Sequence, residues 1–159
     1  RMPAYRADVF ADYYQFYIWD AGCSPTAPEG YTESDVQRLV KVTRHVVAIR
    51  TVRNTTVPVD VELYGADPGC DVTRWDHIVE CDLESPTGRL QLHQCTGGPV
   101  LDVTAPPGWY RVRALFSGLD ALSNDGLSGS DRYRIEAWPG TLGTMTVIKQ
   151  WRGATVARG

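Results

Sequence analysis

Along Val57-Pro-Val-Asp-Val-Glu-Leu-Tyr64 the residues Val57, Val59, Val61 and Leu63 fall on one side of an extended chain, and Asp60 and Glu62 fall on the other. This period of two is the pattern of a strand that rests one face on a core. The same alternation recurs at 46–52, 75–84, 89–93, 100–104, 109–116, 131–138 and 144–151. Tyr110, Val112, Ala114 and Phe116 point inward on one of these strands, and Tyr133, Ile135 and Ala137 on another. Before them, Tyr13-Tyr-Gln-Phe-Tyr-Ile-Trp19 is dense in aromatic and β-favouring residues and predicts a first strand. Ser85-Pro-Thr-Gly88 has β-turn chemistry and predicts a hairpin between 75–84 and 89–93. Pro58 has no N–H to give to a ladder, so it belongs at an edge or with its nitrogen turned away from the neighbour.

The period changes once. Thr32 followed by Asp35 has the form of a helix N-cap with an acidic first turn, and Val36, Leu39 and Val40 follow at helical spacing, predicting a short helix over 33–42. Short strands separated by turn signals, with one helix and no repeat, predict a mainly β chain. The expected architecture is an antiparallel two-sheet β-sandwich or flattened barrel, one domain over 1–159 with loose ends at 1–7 and 152–159.

Length and composition narrow the role without naming it. A domain of 159 residues buries roughly 70% of its unfolded surface, so it needs neither metal nor disulfide to fold. With 16 Lys and Arg against 19 Asp and Glu, the net charge of −3 gives no global field for nucleic acid or an anionic membrane, so a partner must be recognised locally. Only Lys41 and Lys149 are lysines; the other cations are arginines, suited to planar bidentate pairing. No run approaches the roughly 20 apolar residues of a membrane span, and no charged start with an apolar signal core follows Met2, which predicts a cytoplasmic protein. On the same ground the Asn54-Thr-Thr56 sequon reads as a turn. Cys23, Cys70, Cys81 and Cys95 include no C-x-x-C pair and match no zinc spacing, so free thiols are expected.

Strand parity sends Tyr13, Gln15, Tyr17, Trp19, Arg111, Arg113, Arg132, Arg134 and Glu136 away from the core. Tyr, Trp and Arg are the types enriched at binding hot spots. Either these residues form an exposed aromatic and arginine face, or both sheet faces are covered, the aromatics making a second core layer and the arginines cross-strand ion pairs. Parity also separates His77 from Asp76 and Glu80, so a catalytic histidine would need a partner from another strand. The rival to a binding role is a small hydrolase-like enzyme whose acid/base site draws on His77, Glu80, Asp120 and Asp131. Between Leu119 and Asp131, Asp120, Asn124, Asp125 and Asp131 offer hard oxygen ligands, but their spacing is not that of a calcium loop. Asn-Asp-Gly and Ser-Gly-Ser-Asp are ordinary turn chemistry. No metal site and no cofactor are expected.

The order of Tyr14-Gln-Phe, Tyr31-Thr-Glu-Ser-Asp, Arg53-Asn-Thr-Thr-Val-Pro-Val, Leu101-Asp-Val-Thr-Ala-Pro-Pro-Gly-Trp-Tyr and Tyr133-Arg-Ile resembles the competence protein J (ComJ-like) family of bacteria, small inhibitors of a DNA-entry nuclease. The Leu119–Gly140 run also resembles actinobacterial proteins of similar length. The chain departs from the family in longer loops at 65–75 and 118–131 and in a segment beyond Gly140. The resemblance implies a protein that binds and occludes another protein, a nuclease or toxin, without catalysis and without contacting nucleic acid itself. Tyr13, Tyr17, Trp19, Arg111, Arg113, Arg132, Arg134, Asp120 and Asp125 are the candidate partner-binding residues.

Overall fold

The computed structural model describes residues 4–153. Within them the strands are β1 (Ala4–Phe10), β2 (Gln15–Asp20), β3 (Val40–Thr43), β4 (Val46–Arg50), β5 (Thr56–Leu63), β6 (His77–Ser85), β7 (Arg89–Gln94), β8 (Pro99–Thr104), β9 (Gly108–Ser117), β10 (Arg132–Pro139) and β11 (Thr146–Lys149). They form a six-stranded sheet, ordered β1-β5-β10-β9-β6-β11, and a five-stranded sheet, ordered β3-β4-β2-β7-β8. Pairing is antiparallel except between β5 and β10, which run parallel. The two-sheet, mainly β architecture with one short α-helix is as the alternation predicts.

The inward positions make the core. Val57, Val59, Val61 and Leu63 of β5 meet Tyr133, Ile135 and Ala137 of β10 and Val112, Ala114 and Phe116 of β9, while Phe16, Ile18, Ile49 and Leu92 come from the other sheet. The Tyr133 ring stands edge-on to both Phe16, at 6.2 Å between centroids, and Phe116, at 5.7 Å, and so pins the two sheets together. Pro58 lies inside the sheet, opposite Asp8 of β1, yet it breaks no ladder with β10 because that pairing begins one residue later, at Val59.

Several elements differ from the pattern-based expectation. The helix α1 (Glu33–Arg38) stops four residues early. Leu39 turns left-handed, at φ 64°, and ends it, and Val40–Thr43 become β3, pairing with β4. Val36, Leu39 and Val40 share helical spacing only by the accident of a turn followed by a strand. Residues 4–7, expected as a loose end, are hydrogen-bonded into β1, opposite Val59 to Glu62; residues 154–159 lie outside the described residues. The predicted first strand begins at Gln15, because Tyr13 and Tyr14 form a tight turn.

The expected hairpin is also absent. β6 pairs with β9 and β11, whereas β7 pairs with β2 and β8, so Ser85–Gly88 crosses from one sheet to the other. Buried Asp20, at the end of β2, anchors that crossing by accepting from Ser85 Oγ and Thr87 N. Gly88 permits it, since its φ is 73° and a Cβ there would lie 2.0 Å from the Ala105 carbonyl.

The helix is tied to the sheet through Asp35. Its carboxylate takes Thr32 N–H in a capping box and meets Arg38 at 2.5 Å and Lys41 at 2.9 Å. Burial works against the charge, but the Lys41 and Thr32 donors outweigh it and bring the carboxyl from its ordinary 3.8 to about 2. A carboxyl depressed on folding stabilises the protein above its unfolded pKa and loses that contribution as pH falls through the folded one. Asp35→Asn is therefore expected to lower stability at pH 7 and to flatten the loss of stability between about pH 4 and 2, as urea unfolding across that range would measure.

Candidate functional site

The candidate residues divide among three places, so no single aromatic and arginine face exists. Tyr17 and Trp19 lie on the outer face of the five-stranded sheet and are buried there. Their rings stack at 5.3 Å with 14° between planes, Trp19 Nε1 donates to Gln91, and Ala21, Tyr31 and Cys95 cover them. The sheet thus has a core layer on both faces, one of the two arrangements that parity allows.

Arg111 and Arg113 lie on the outer face of the other sheet and are only 2% and 4% exposed. Each is held by carboxylates of neighbouring strands, and Arg113 by one of the loop after β5 as well: Arg111 by Glu80 at 3.2 Å and Asp82 at 3.0 Å, and Arg113 by Glu80 at 3.0 Å, Glu136 at 3.2 Å and the loop's Asp67 at 2.9 Å. The loop after β5 and the turn after β10 close over them, since Gly69 O and Thr144 O accept from Arg113 and Arg111. The Arg113 guanidinium also sits 4.7 Å over the Trp138 ring. These two arginines are internal struts. Arg134 continues the lattice to Glu62 and Glu136, whereas Arg132 is exposed and comes only within 3.5 Å of Asp60.

Tyr13, Asp120 and Asp125 come together at one end of the sandwich. Strand register places these connections there: 10–14 after β1, 51–55 before β5, 94–98 after β7 and 118–131 between β9 and β10, flanked by the segment before β6 and the segment after β11, which carry exposed Arg74 and Arg152. Hydrogen bonds tie them together. Thr51 N–H donates to Tyr14 O, Ala11 N–H to Thr55 O, Phe10 N–H to the Gln94 side chain, and Thr96 Oγ1 to Asp12. The central tie is buried: Asp131 takes Arg53 Nε at 2.6 Å on one oxygen and the Tyr133 hydroxyl at 2.6 Å on the other. Tyr133 in turn accepts the Val52 N–H at 2.9 Å, and Arg53 reaches the Leu127 carbonyl at 3.2 Å. Burial, with the Asp131 charge beside it, pushes the Tyr133 phenol well above its ordinary value, so it stays a donor.

The long loop is closed and structured. Gly118, at φ 67°, passes so near its far end that a Cβ would lie 2.3 Å from Ser130 O. Leu122 bridges Gly129, and Asp125 takes Ser123 Oγ at 2.5 Å and Leu127 N–H at 3.0 Å. On this frame Tyr13 is 64% exposed and Leu127 53% exposed. Tyr13 and Tyr14 adopt φ of 57° and 60°, a left-handed pair of bulky residues. Such backbone persists only where its surroundings impose it, and it clusters at binding sites. The charges on these connections are Asp12, Asp120, Asp125 and the Arg53–Asp131 pair, so the accessible ones are all acidic. Pattern alone could not find this grouping, because the ties run between segments far apart in sequence.

The residues considered for acid/base chemistry do not converge. His77 is buried, takes the Trp151 N–H on Nδ1 at 3.0 Å and therefore donates from Nε2 to Arg38 O at 2.5 Å. Burial lowers its pKa and keeps it neutral. Glu80 is on the opposite sheet face, Asp120 accepts from Trp151 Nε1 at 2.9 Å, and Asp131 is enclosed by Arg53 and Tyr133. The oxygen ligands of the loop likewise diverge, and among the described residues no three His, Cys, Asp or Glu side chains gather as a metal site.

No protein-family model matches the chain, and no curated protein matches it in sequence. Two solved structures are similar to it. One is ComJ from Bacillus subtilis, described as an inhibitor of the DNA degrading activity of NucA, with a TM-score of 0.69 and 15% identity over 88% of this chain and 99% of that one. The fold is shared with ComJ. The other, described as Crocagin biosynthetic gene J, has a TM-score of 0.59 and 21% identity over 87% of this chain and 98% of its own. In this version of the ComJ fold the buried Arg53–Asp131 pair carries the loop end. Arg53→Met, which strands a buried carboxylate, is expected to lower unfolding free energy by about 3–5 kcal/mol. Adding Asp131→Asn to it should cost less than the sum of the two single changes in urea unfolding.

Proposed function

We propose that the chain is a non-catalytic protein-binding module of nuclease-inhibitor or immunity type, which covers a basic surface of its partner with the loop end of the sandwich. The observation that carries this is the coincidence at one end of an exposed, conformationally imposed Tyr13 with Asp12, Asp120 and Asp125, no accessible cation lying on the connections 10–14, 51–55, 94–98 and 118–131, while Arg74 and Arg152 stand on the flanking segments. An enzyme that degrades DNA must present positive charge to phosphates. An acidic tip complements such a surface and speeds encounter with it. A rigid tyrosine supplies contact area at low entropic cost. The fold shared with a described nuclease inhibitor supports the same role. The buried face arginines and the Tyr17–Trp19 pair serve the scaffold, so partner contact passes from them to Tyr13, Asp120 and Asp125.

The test is degradation of plasmid DNA by each DNA-degrading nuclease cloned from the source genome, with the protein titrated in. With one of them, degradation is expected to fall to zero near equimolar protein. Tyr13→Ala is expected to weaken the complex by roughly 30-fold or more, the effect of a hot-spot aromatic. Asp120→Asn with Asp125→Asn keeps both hydrogen-bond acceptors but should slow association and reduce its salt dependence. Unchanged degradation by every such nuclease under excess protein, or an inhibition constant for the Tyr13→Ala variant equal to the unsubstituted protein's, would overturn the proposal.

A further inference from the structure

A cleft of about 350 Å³ opens on the outer face of the six-stranded sheet, beneath the segment 69–75. Leu115 of β9 and Arg132 and Arg134 of β10 line its sheet side, and Asp71, Arg74 and Trp75 line the side opposite. Its size falls at the lower end of the range for small-molecule sites, roughly 300–1,000 Å³.

The cations of the cleft are not equally paired. Four guanidiniums reach it, those of Arg6, Arg74, Arg132 and Arg134. Three carboxylates line it with them, Asp60, Asp71 and Glu136. Two of the guanidiniums are fully engaged. Arg134 is committed to Glu62, Glu136 and the Tyr64 hydroxyl, and Arg6 to Asp60 at 2.8 Å. Both oxygens of Glu136 are taken, one by Arg113 and one by Arg134. Arg132 is left with a 3.5 Å approach to an Asp60 already bonded to Arg6, and its side chain is 46% exposed. Arg74 forms no ion pair within 4.0 Å among the described residues. Asp71 receives Thr73 N–H and Oγ1 on one oxygen, and among the described residues no hydrogen bond reaches its second oxygen.

We infer that this cleft binds a small carboxylate, gripped by Arg74 and Arg132, whose neighbouring N–H is accepted by Asp71 and whose apolar group rests on Leu115 and Trp75. Guanidinium forks match a carboxylate bidentately. A monoanion offers one oxygen to each of these two weakly engaged guanidiniums, whereas a phosphate dianion brings a second negative charge beside Asp60 and Asp71. This chemistry is shared by a free N-acylated amino acid and by the last residue of a polypeptide.

The probes are N-acetyl-leucine, N-acetyl-leucinamide, inorganic phosphate and a leucine-ended tetrapeptide with free or amidated C-terminus, titrated into the full chain while amide and indole N–H resonances are followed by NMR. N-acetyl-leucine is expected to shift the Trp75 indole signal saturably, with a Kd on the order of 1 mM, and its amide is expected to shift nothing. Arg74→Ala and Arg132→Ala, both at exposed positions, should each weaken binding about tenfold, the loss of one charge-assisted contact, without moving the melting temperature. A free-acid tetrapeptide that binds more tightly than N-acetyl-leucine identifies a polypeptide terminus as the source, and equal or weaker binding identifies a free acid. No shift with N-acetyl-leucine, equal binding of its amide, or phosphate binding that exceeds the carboxylate's would overturn the inference. The titration uses no nuclease and no loop-end residue, so its outcome is independent of the partner assay.

Discussion

Asp131 is fully buried, and each of its oxygens has a defined donor, Arg53 on one and the Tyr133 hydroxyl on the other. A buried charge is tolerable only with such pairing, because removing water from a carboxylate without replacing its bonds costs several kcal/mol. The consequence reaches beyond the pair. Arg53 fixes the connection before β5, Tyr133 fixes Val52 and packs between Phe16 and Phe116, and the Leu127 carbonyl on Arg53 fixes the long loop. The same few atoms therefore join the two sheets at their core and set the relative positions of the loops above. A partner that meets this end meets a surface already ordered, which reduces the entropy lost on binding.

The outer face of the six-stranded sheet uses arginine differently. Arg111 and Arg113 point away from the hydrophobic core, as the alternation requires, yet both are buried because the 65–75 loop and the turn after β10 fold back over them. Carboxylates on β6, β10 and the covering loop meet them in cross-strand register, so the guanidiniums hold the cover in place. Only where the lattice runs out, at Arg132 and Arg74, does cationic capacity remain for something outside the chain.

Strand periodicity and burial side were legible in the sequence because they depend on local alternation: Val57 to Leu63 and Tyr133 to Ala137 lie where parity places them. The partner of each strand was less so. Ser85-Pro-Thr-Gly88 has the residues of a hairpin turn, but Asp20, far away in sequence, draws it across to the other sheet. The helix ends at Arg38 because Leu39 is left-handed, which no composition rule for a leucine anticipates. For the site, parity assigned a direction to Arg111, Tyr17 and Trp19 but could not say what covers that direction; the loops that do so carry no periodic signal. Tyr13 and Asp125 were within reach individually, while their common end depends on the Arg53–Asp131 bond across 78 positions.

Whether the loop end meets the partner is read most directly from hydrogen exchange of backbone amides, free and in complex with the nuclease that the protein inhibits. Slowed exchange is expected in 10–14, 51–55 and 119–131, with the outer faces of β9 and β10 unchanged. Protection confined to those outer faces, or to the 21–31 segment over Tyr17 and Trp19, would contradict contact at the loop end.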